Sequence, residues 1–358
     1  MQIIELINNK KKFFSVEVSP PSKNKNINTI FKTIERFLPY QPAYVSITHH
    51  PLKITPILIE VENKNLASDV NDILHFTDFI DEDGKIVTEL GTNKEVKETT
   101  KQSSKKRFYQ KKHVNQLGLC AAIKYRYNVN VVPHFVCAGM NKVQIEEALL
   151  DFSFLEMENI LALRGDPATA NEKFKPIDGG FMYAFELVEK INAMKQAIFL
   201  NKKDGYKSIK LCVGVAGYPE CHKSSSNIHE DILNLKQKVD AGADYIVTQM
   251  CFDVDVLKNW LKLIREAGIN VPVIPGIKPL TSIGQLIKLK YKYEINIPQE
   301  LENLITSEPD ADIAYQKGIE HCINLSNELL NEGFAGIHYF TMGNGKDIED
   351  VVKRVYKI

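Results

Sequence analysis

Two carboxylates, two histidines and two amides in this chain stand where extended apolar runs end, and they are the residues whose types could do chemistry. Glu17 lies in SVEVSPP between Val16 and Val18. A carboxylate with apolar neighbours in a strand must be paired, open to a cavity, or partly protonated. Desolvation raises its pKa, which suits a general acid near neutral pH; a structural ion pair is the equal alternative. Asp166 ends LALRGD, one glycine beyond Arg164, and Pro167 delays any helix behind it. Gly165 would let a flat ligand approach the backbone. An exposed turn salt bridge between Arg164 and Asp166 is the plainer reading, weakened by the apolar run that delivers them.

His134 stands in VVPHFVC and His222 closes GYPECH. One histidine in an apolar run is commonly a satisfied core residue; two at the same end of their strands favour a site. Neither HxH nor HExxH spacing occurs, so no metal is expected. Cys221 beside His222 is a poor nucleophile pair, because adjacent side chains on an extended chain diverge. Asp231, Asn234 and Lys238 recur at i, i+3 and i+7, on one helix face. That face is either solvated or set against a polar ligand, with lysine for phosphate and Asp or Asn for hydroxyls. Gln249 in YIVTQM and Gln285 beyond IPGIKP each offer an amide that can read a heterocycle edge or bond to loop backbone.

Eight short, β-branched runs carry these residues: 13–21, 44–50, 130–137, 159–167, 211–222, 245–250, 271–279 and 336–344. Helical periodicity falls between them, at 27–38, 141–155, 181–200, 227–241, 254–267, 281–291, 311–332 and 346–357. Asn141 is placed as an N-cap and Gly242 as the glycine past a helix end. This alternation predicts an α/β fold, a (β/α)8 barrel, in which chemistry sits at the C-terminal ends of the strands. An open doubly wound sheet should carry GxGxxG after an early strand; none occurs, and GNGK at 343–346 lacks the rest of a phosphate loop. Residues 51–112 break the rhythm. They are expected to form a polar insertion after the second strand, a loop or a lid over the barrel mouth, within one catalytic domain spanning 1–358.

Lys+Arg and Asp+Glu are both 45, so the chain has no formal net charge and does not read as a general nucleic-acid binder. The six cysteines contain no CxxC pair and are expected to be buried, reduced thiols. The N-terminus has no apolar signal core and no run reaches membrane-spanning length, which predicts a cytoplasmic protein without a membrane partner.

Taken together, EVSPP, SIT, PHFVC, LALRGD, GYPECH, LNLKQKVDAGADYIVTQMCFD and IPGIKP resemble the methylenetetrahydrofolate reductase family, bacterial type, over nearly the whole chain outside 51–112. The resemblance implies an FAD-containing barrel that passes hydride from NADH or NADPH to 5,10-methylenetetrahydrofolate. The product, 5-methyltetrahydrofolate, feeds methionine synthesis. Donor and folate would use the flavin in turn, a ping-pong scheme. It implies that Glu17 helps open the folate ring and that Asp166 tunes the flavin. Thr48, His134, Arg164, Gly165, Asp166, Tyr183, Ala184, Gly217, His222, Asp231, Asn234 and Lys238 would line FAD, and Glu17, Gln249 and Gln285 would contact substrate. It also implies homo-oligomers. A folate-binding barrel that transfers a one-carbon group without redox chemistry is the alternative. Three departures stand out. Asn344 occupies the place of an arginine expected after the last strand, with Lys346 or Lys278 as substitutes. Leu289 replaces a substrate-stacking phenylalanine, and Gln237 a basic residue on the flavin helix. No S-adenosylmethionine-regulated second domain is expected.

Overall fold

The computed structural model describes residues 1–9, 11–21, 26–49, 54–60, 79–80, 86–87, 105–111, 115–166, 174–201, 205–343 and 345–356, with backbone only for 54–60, 79–80, 86–87 and 105–111. Eight parallel strands close into a barrel in the order β1-β12-β11-β10-β9-β8-β7-β2. They are β1 (Phe13–Val18), β2 (Tyr44–Ile47), β7 (Val131–Val136), β8 (Asn159–Leu163), β9 (Cys212–Gly217), β10 (Tyr245–Met250), β11 (Val273–Ile277) and β12 (Gly336–Phe340). Each of the eight expected runs supplies one of them. Strands buried on both faces favour β-branched and aromatic residues, which is why the runs read as continuous apolar stretches.

Closure depends on β1 and β12, paired in register from Phe13↔Gly336 to Glu17↔Phe340. A Cβ on Gly336 would lie 2.4 Å from the Phe13 ring, so the seam closes only around a bare backbone there.

Helices wrap the barrel: α1 (Ile3–Asn8), α2 (Asn28–Phe37), α3 (Gln116–Tyr127), α4 (Lys142–Phe154), α5 (Ala184–Lys195), α6 (Ile228–Asp240), α7 (Val254–Glu266), α8 (Ile283–Ile287), α9 (Gln299–Thr306), α10 (Ala311–Asn331) and α11 (Lys346–Val355). Asn141 caps α4 by accepting from Gln144 N, and Gly242 past α6 has φ +111°, both as the sequence predicts. Three helices lie outside the expected segments. α1 is too short to show a period. α3 buries Leu119, Cys120 and Ile123 next to exposed Tyr125, without a clean apolar stripe. α9 follows a segment expected to be one helix over 281–291. That segment instead breaks into α8 and a π-helical turn, Lys288–Lys292.

Within 51–112, the backbone of β3 (Ile54–Glu60) pairs antiparallel with β6 (Lys105–Lys111), apart from the barrel sheet. The short strands β4 (Phe79–Ile80) and β5 (Ile86–Val87) pair with each other. The segment is therefore partly strand rather than all loop. The side chains of the lid expected there lie outside the described residues.

Three apolar clusters organise the packing. The largest fills the space between barrel and helices. A second gathers inward residues of the barrel floor, among them Phe13, Tyr44, Cys212, Tyr245 and Ile274, under Ile3 of α1. Ile3 N donates to Asn159 Oδ1 at 2.8 Å, fixing α1 as a plug across the strands' N-terminal ends. The third underlies the π-turn and α9, where Leu286, Leu289, Ile295, Leu301 and Phe340 pack together.

Candidate active site

Side chains alternate along a strand with period two. Phe13 faces the barrel floor, so Ser15 and Glu17 face inward in higher layers. Tyr44 and Ser46 share a face in β2, as do Val132 and His134 in β7. This parity assembles the first half of the site. Glu17 Oε2 lies 3.5 Å from His134 Nε2 and 3.9 Å from His338 Nε2, with 14% of its side chain exposed. Ser46 Oγ is 2.8 Å from His134 Nε2, and Ser15 Oγ is 2.8 Å from His338 Nδ1. The Tyr44 ring stacks on His338 at 5.9 Å and Phe340 meets it edge-on at 5.1 Å. The acid is thus clasped by two imidazoles whose orientations are set by serines one layer below. Sequence reasoning missed His338, Ser15 and Ser46. Strand parity could have found them, since His338 occupies the inward face of the last run.

The second half follows β8 and β9. Gly165 has φ +94°, and a Cβ there would lie 2.4 Å from Val136 Cγ1 and 2.7 Å from Ala138 Cβ. Only glycine fits this corner, which presents bare backbone between Arg164 and Asp166. The Arg164 guanidinium lies 5.0 Å from the Phe174 ring centroid. His222 Nδ1 accepts from Ser224 N at 3.1 Å, which leaves its proton on Nε2. The Tyr218 ring meets His222 edge-on at 4.5 Å. Lys238 reaches back from α6 to donate to Ala216 O at 2.7 Å, and its ammonium lies 5.8 Å from the Tyr218 ring centroid. Asp231, buried on the same helix, accepts from Ser225 Oγ at 3.1 Å.

These groups act on one another. Burial, then the Arg164 and Lys238 cations, push the His222 imidazole down to about 4, against the pull of Asp166. Burial pushes Lys238 down to about 8, with Arg164 adding to the effect and Asp231 opposing it. Burial raises the Asp231 carboxyl, and the Tyr218 phenol rises to about 12 through burial, then Asp231 and Asp166. The structure therefore brings Arg164, Asp166, His222, Asp231 and Lys238 into one crowded cluster that an anion would relieve.

The remaining expected residues are more dispersed. Thr48 Oγ1 donates to Ser19 Oγ at 3.1 Å, at the end of β2. Tyr183, 47% exposed, caps α5 just before Ala184 and stacks on Phe185 at 5.5 Å. Asn234 is exposed on α6. Gly217 is required for packing: its Cβ would lie 2.8 Å from both Ile246 and Trp260. Gln249 Oε1 accepts from Met250 N at 2.9 Å. Gln285 Oε1 accepts from Thr281 N at 2.9 Å and from Thr281 Oγ1 at 3.2 Å. Both amides bond locally through oxygen, so the NH2 group is what each can offer a ligand. Of the two candidate substitutes for the missing arginine, Lys278 is 2% exposed and donates to Asp347 Oδ2 at 2.9 Å. Lys346 lies over the Tyr315 ring, and Asn344 lies outside the described residues.

Barrel order sets the two halves against each other. From β1, β9 is four strands away in either direction. Glu17 therefore stands across the mouth from the cluster around His222. Among the described residues, no three His, Cys, Asp or Glu side chains converge as a metal-binding set. All six cysteines are free thiols, and burial pushes Cys137, Cys212 and Cys251 up to about 12.

Fold and site together define a parallel barrel protein with an imidazole-flanked acid facing an anion-ready cluster across one mouth. Residues 103–356 match the sequence profile of methylenetetrahydrofolate reductase, and the chain belongs to that family. Methylenetetrahydrofolate reductase 1 of Schizosaccharomyces pombe is 33% identical over 239 residues, 66% of this chain and 38% of the relative. Methylenetetrahydrofolate reductase 2 of Saccharomyces cerevisiae is 36% identical over 213 residues, 58% of this chain and 34% of the relative. The chain thus spans little more than a third of these fungal relatives. The 5,10-methylenetetrahydrofolate reductase of Buchnera aphidicola is 30% identical over 228 residues, 63% of this chain and 70% of the relative. A Clostridium thermocellum protein described as binding two copies of 5-methyl-5,6,7,8-tetrahydrofolic acid shares the fold, with a TM-score of 0.55, 12% identity and full coverage of both chains. No described helix is long and apolar enough to cross a membrane.

Proposed function

We propose that this chain reduces 5,10-methylenetetrahydrofolate to 5-methyltetrahydrofolate in the cytoplasm. NADH or NADPH supplies the hydride, through bound FAD and in two alternating half-reactions, and the product supplies methyl groups for methionine synthesis. The observation that carries this reading is Glu17 clasped by His134 and His338, opposite the Arg164–His222–Lys238 cluster. The residues present fit FAD. Two cations that both bear on His222 suit a pyrophosphate, and the bare backbone of Gly165 suits the edge of a flat ring. Arg164, His222 and Lys238 would hold the phosphates. Asp166 and Gly165 would border the ring, and Asp231 and Asn234 would meet hydroxyls. Thr48, His134, Tyr183, Ala184 and Gly217 would complete the lining. FAD, when bound, supplies reversible two-electron hydride transfer.

The chain's own residues do the acid chemistry and the positioning. Glu17 donates its proton to the departing nitrogen of the folate's five-membered ring, which opens to the reactive iminium. The imidazoles then face the resulting carboxylate and hold it in place for reprotonation. The NH2 groups of Gln249 and Gln285 donate to acceptors on the substrate's heterocyclic and amide edges.

Two measurements test the reading. Purified protein should be yellow, or become so with FAD; protein that cannot be loaded favours the non-redox one-carbon transferase and overturns the reductase. Glu17→Gln should lower folate reduction by at least about a hundredfold while NAD(P)H still bleaches the flavin at the wild-type rate. Equal loss of both half-reactions overturns the role of Glu17.

A further inference from the structure

Among the described residues, three buried side-chain polar atoms complete no hydrogen bond: Tyr44 Oη, Tyr245 Oη and Trp260 Nε1. Desolvating a hydroxyl without a partner is unfavourable, so such groups call for an explanation. Tyr339 provides the contrast: its phenol, equally buried, is 2.9 Å from Ser326 Oγ. Tyr44 and Tyr245 stand on opposite walls, because β10 is four strands from β2 in either direction. Tyr245 is turned toward β9, where a Cβ on Gly214 would lie 2.5 Å from its Cζ and 2.8 Å from its Oη. Tyr44 is turned toward β12, its ring within 16° of parallel to that of His338.

Strand register explains what Tyr44 meets. Ser15 of β1 is level with Tyr44 of β2 on one side and with His338 of β12 on the other. Phenol, hydroxyl and imidazole form one inward row across three adjacent strands, all of it buried. Ser15 Oγ is 2.8 Å from His338 Nδ1. Burial raises the Tyr44 phenol and the Ser15 hydroxyl draws it back, so the open phenol has an acceptor within reach. Above the row, His338 Nε2 faces Glu17 Oε2 at 3.9 Å. The other titratable groups around it are His134 beside Glu17, Cys212 and Tyr245 beside Tyr44, and Tyr293, whose phenol is raised by burial and then by Glu17.

Ser15 has one proton to give, and a neutral imidazole carries one. If Ser15 donates to Nδ1, the imidazole proton sits on Nε2 and points at Glu17. If Ser15 donates elsewhere, Nδ1 keeps the proton and Nε2 presents a lone pair. A phenol is more acidic than an alkyl hydroxyl and donates more readily, so a phenol beside Ser15 selects the first arrangement. We propose that Tyr44 is a positioning residue: its phenol donates to Ser15, Ser15 donates to His338 Nδ1, and the Nε2 proton is thereby directed at Glu17. With Oε2 taken up as an acceptor, the acid proton of Glu17 rests on Oε1. The consequence for catalysis rests on the reading of Glu17 as the acid of folate reduction; the tautomer of His338 does not.

The test is that tautomer, read in the intact protein by long-range nitrogen–proton correlation spectra with isotope-labelled histidine. The spectrum of His338→Gln identifies the signals. Wild type should carry its proton on Nε2. Tyr44→Phe and Ser15→Ala should each move His338 toward the Nδ1 form. Tyr245→Phe, which deletes an equally buried phenol on the opposite wall, should leave it unchanged. In turnover, Tyr44→Phe should slow the folate half-reaction about fivefold, the worth of one neutral hydrogen bond. KM and the NAD(P)H half-reaction should keep their wild-type values. Ser15→Ala combined with Tyr44→Phe should be no slower than Ser15→Ala alone, because both act through one chain. A wild-type His338 protonated on Nδ1, or a Tyr44→Phe tautomer identical to wild type, overturns the proposal. Equal effects of Tyr44→Phe and Tyr245→Phe would reduce Tyr44 to packing and overturn it as well. A shifted tautomer with an undiminished folate half-reaction would detach Tyr44 from the acid. If the tautomer shifts as expected but wild type reduces no folate, the functional reading falls and the positioning of His338 stands.

Discussion

At the residue scale, charge is organised by what each group faces. Asp166 ends the β8 corner beside Gly165 and acts on His222 and Tyr218 across the cluster. A negative charge near a flavin ring disfavours the reduced anion. Asp166→Asn should therefore raise the flavin midpoint potential by on the order of tens of millivolts, read by dye-equilibrated reduction; an unchanged or lower potential places Asp166 away from the ring. Lys238 makes a pH prediction. Its folded value, about 8, lies below the ordinary 10.5. Between these values the unfolded chain holds a proton that the folded chain has lost. Flavin-free protein thus gains stability from this group as pH rises through that window. Anion binding runs the other way, because it needs the ammonium. FAD affinity should fall about tenfold between pH 7 and 9, and Lys238→Arg should flatten the fall. A wild-type affinity that is level over this range would remove Lys238 from the phosphate site.

At the element scale, the two halves of the mouth are held by different devices. The β8 and β9 corners rest on glycine and on α6, whose N-cap Asn227 accepts from Glu230 N. The β11 and β12 ends are tied by the Lys278–Asp347 pair, with side chains 2% and 10% exposed, which joins the start of α11 to the barrel. Breaking a buried pair leaves one charge without its counter-ion. Asp347→Ala should cost roughly 3–5 kcal/mol in urea denaturation, and Lys278→Met with Asp347→Leu should recover most of it. A loss of under about 1 kcal/mol in the single variant would show the pair to be solvated. The π-turn shows where element prediction stops. Apolar periodicity across 281–291 marks a helix, but it cannot distinguish a turn that widens at Lys288 to seat Leu289 in the core.

At the scale of the whole molecule, the barrel has a sealed floor and a working mouth. The floor is closed by α1, where Ile3 is fully buried against the inward layer containing Cys212. Ile3→Ala should cost roughly 2–5 kcal/mol and speed thiol labelling of Cys212. Unchanged labelling would mean that α1 does not seal the floor. Much of this architecture is legible in sequence. Each strand run declares itself because a strand buried on both faces must be apolar along its length, and Asn141 and Gly242 mark helix ends by local chemistry alone. Glu17 and Asp166 stand out for the same reason: a charge at the end of an apolar run needs an explanation. What sequence leaves open is the choice of neighbours. That His338 reaches Glu17 is a consequence of β12 closing on β1, a contact spanning more than three hundred residues. That Lys278 is consumed by Asp347 follows from packing after β11. Local patterns fix which residues can do chemistry, because propensity and burial act over a few positions. Only closure of the ring decides which of them meet, because strand order and register are properties of the whole chain.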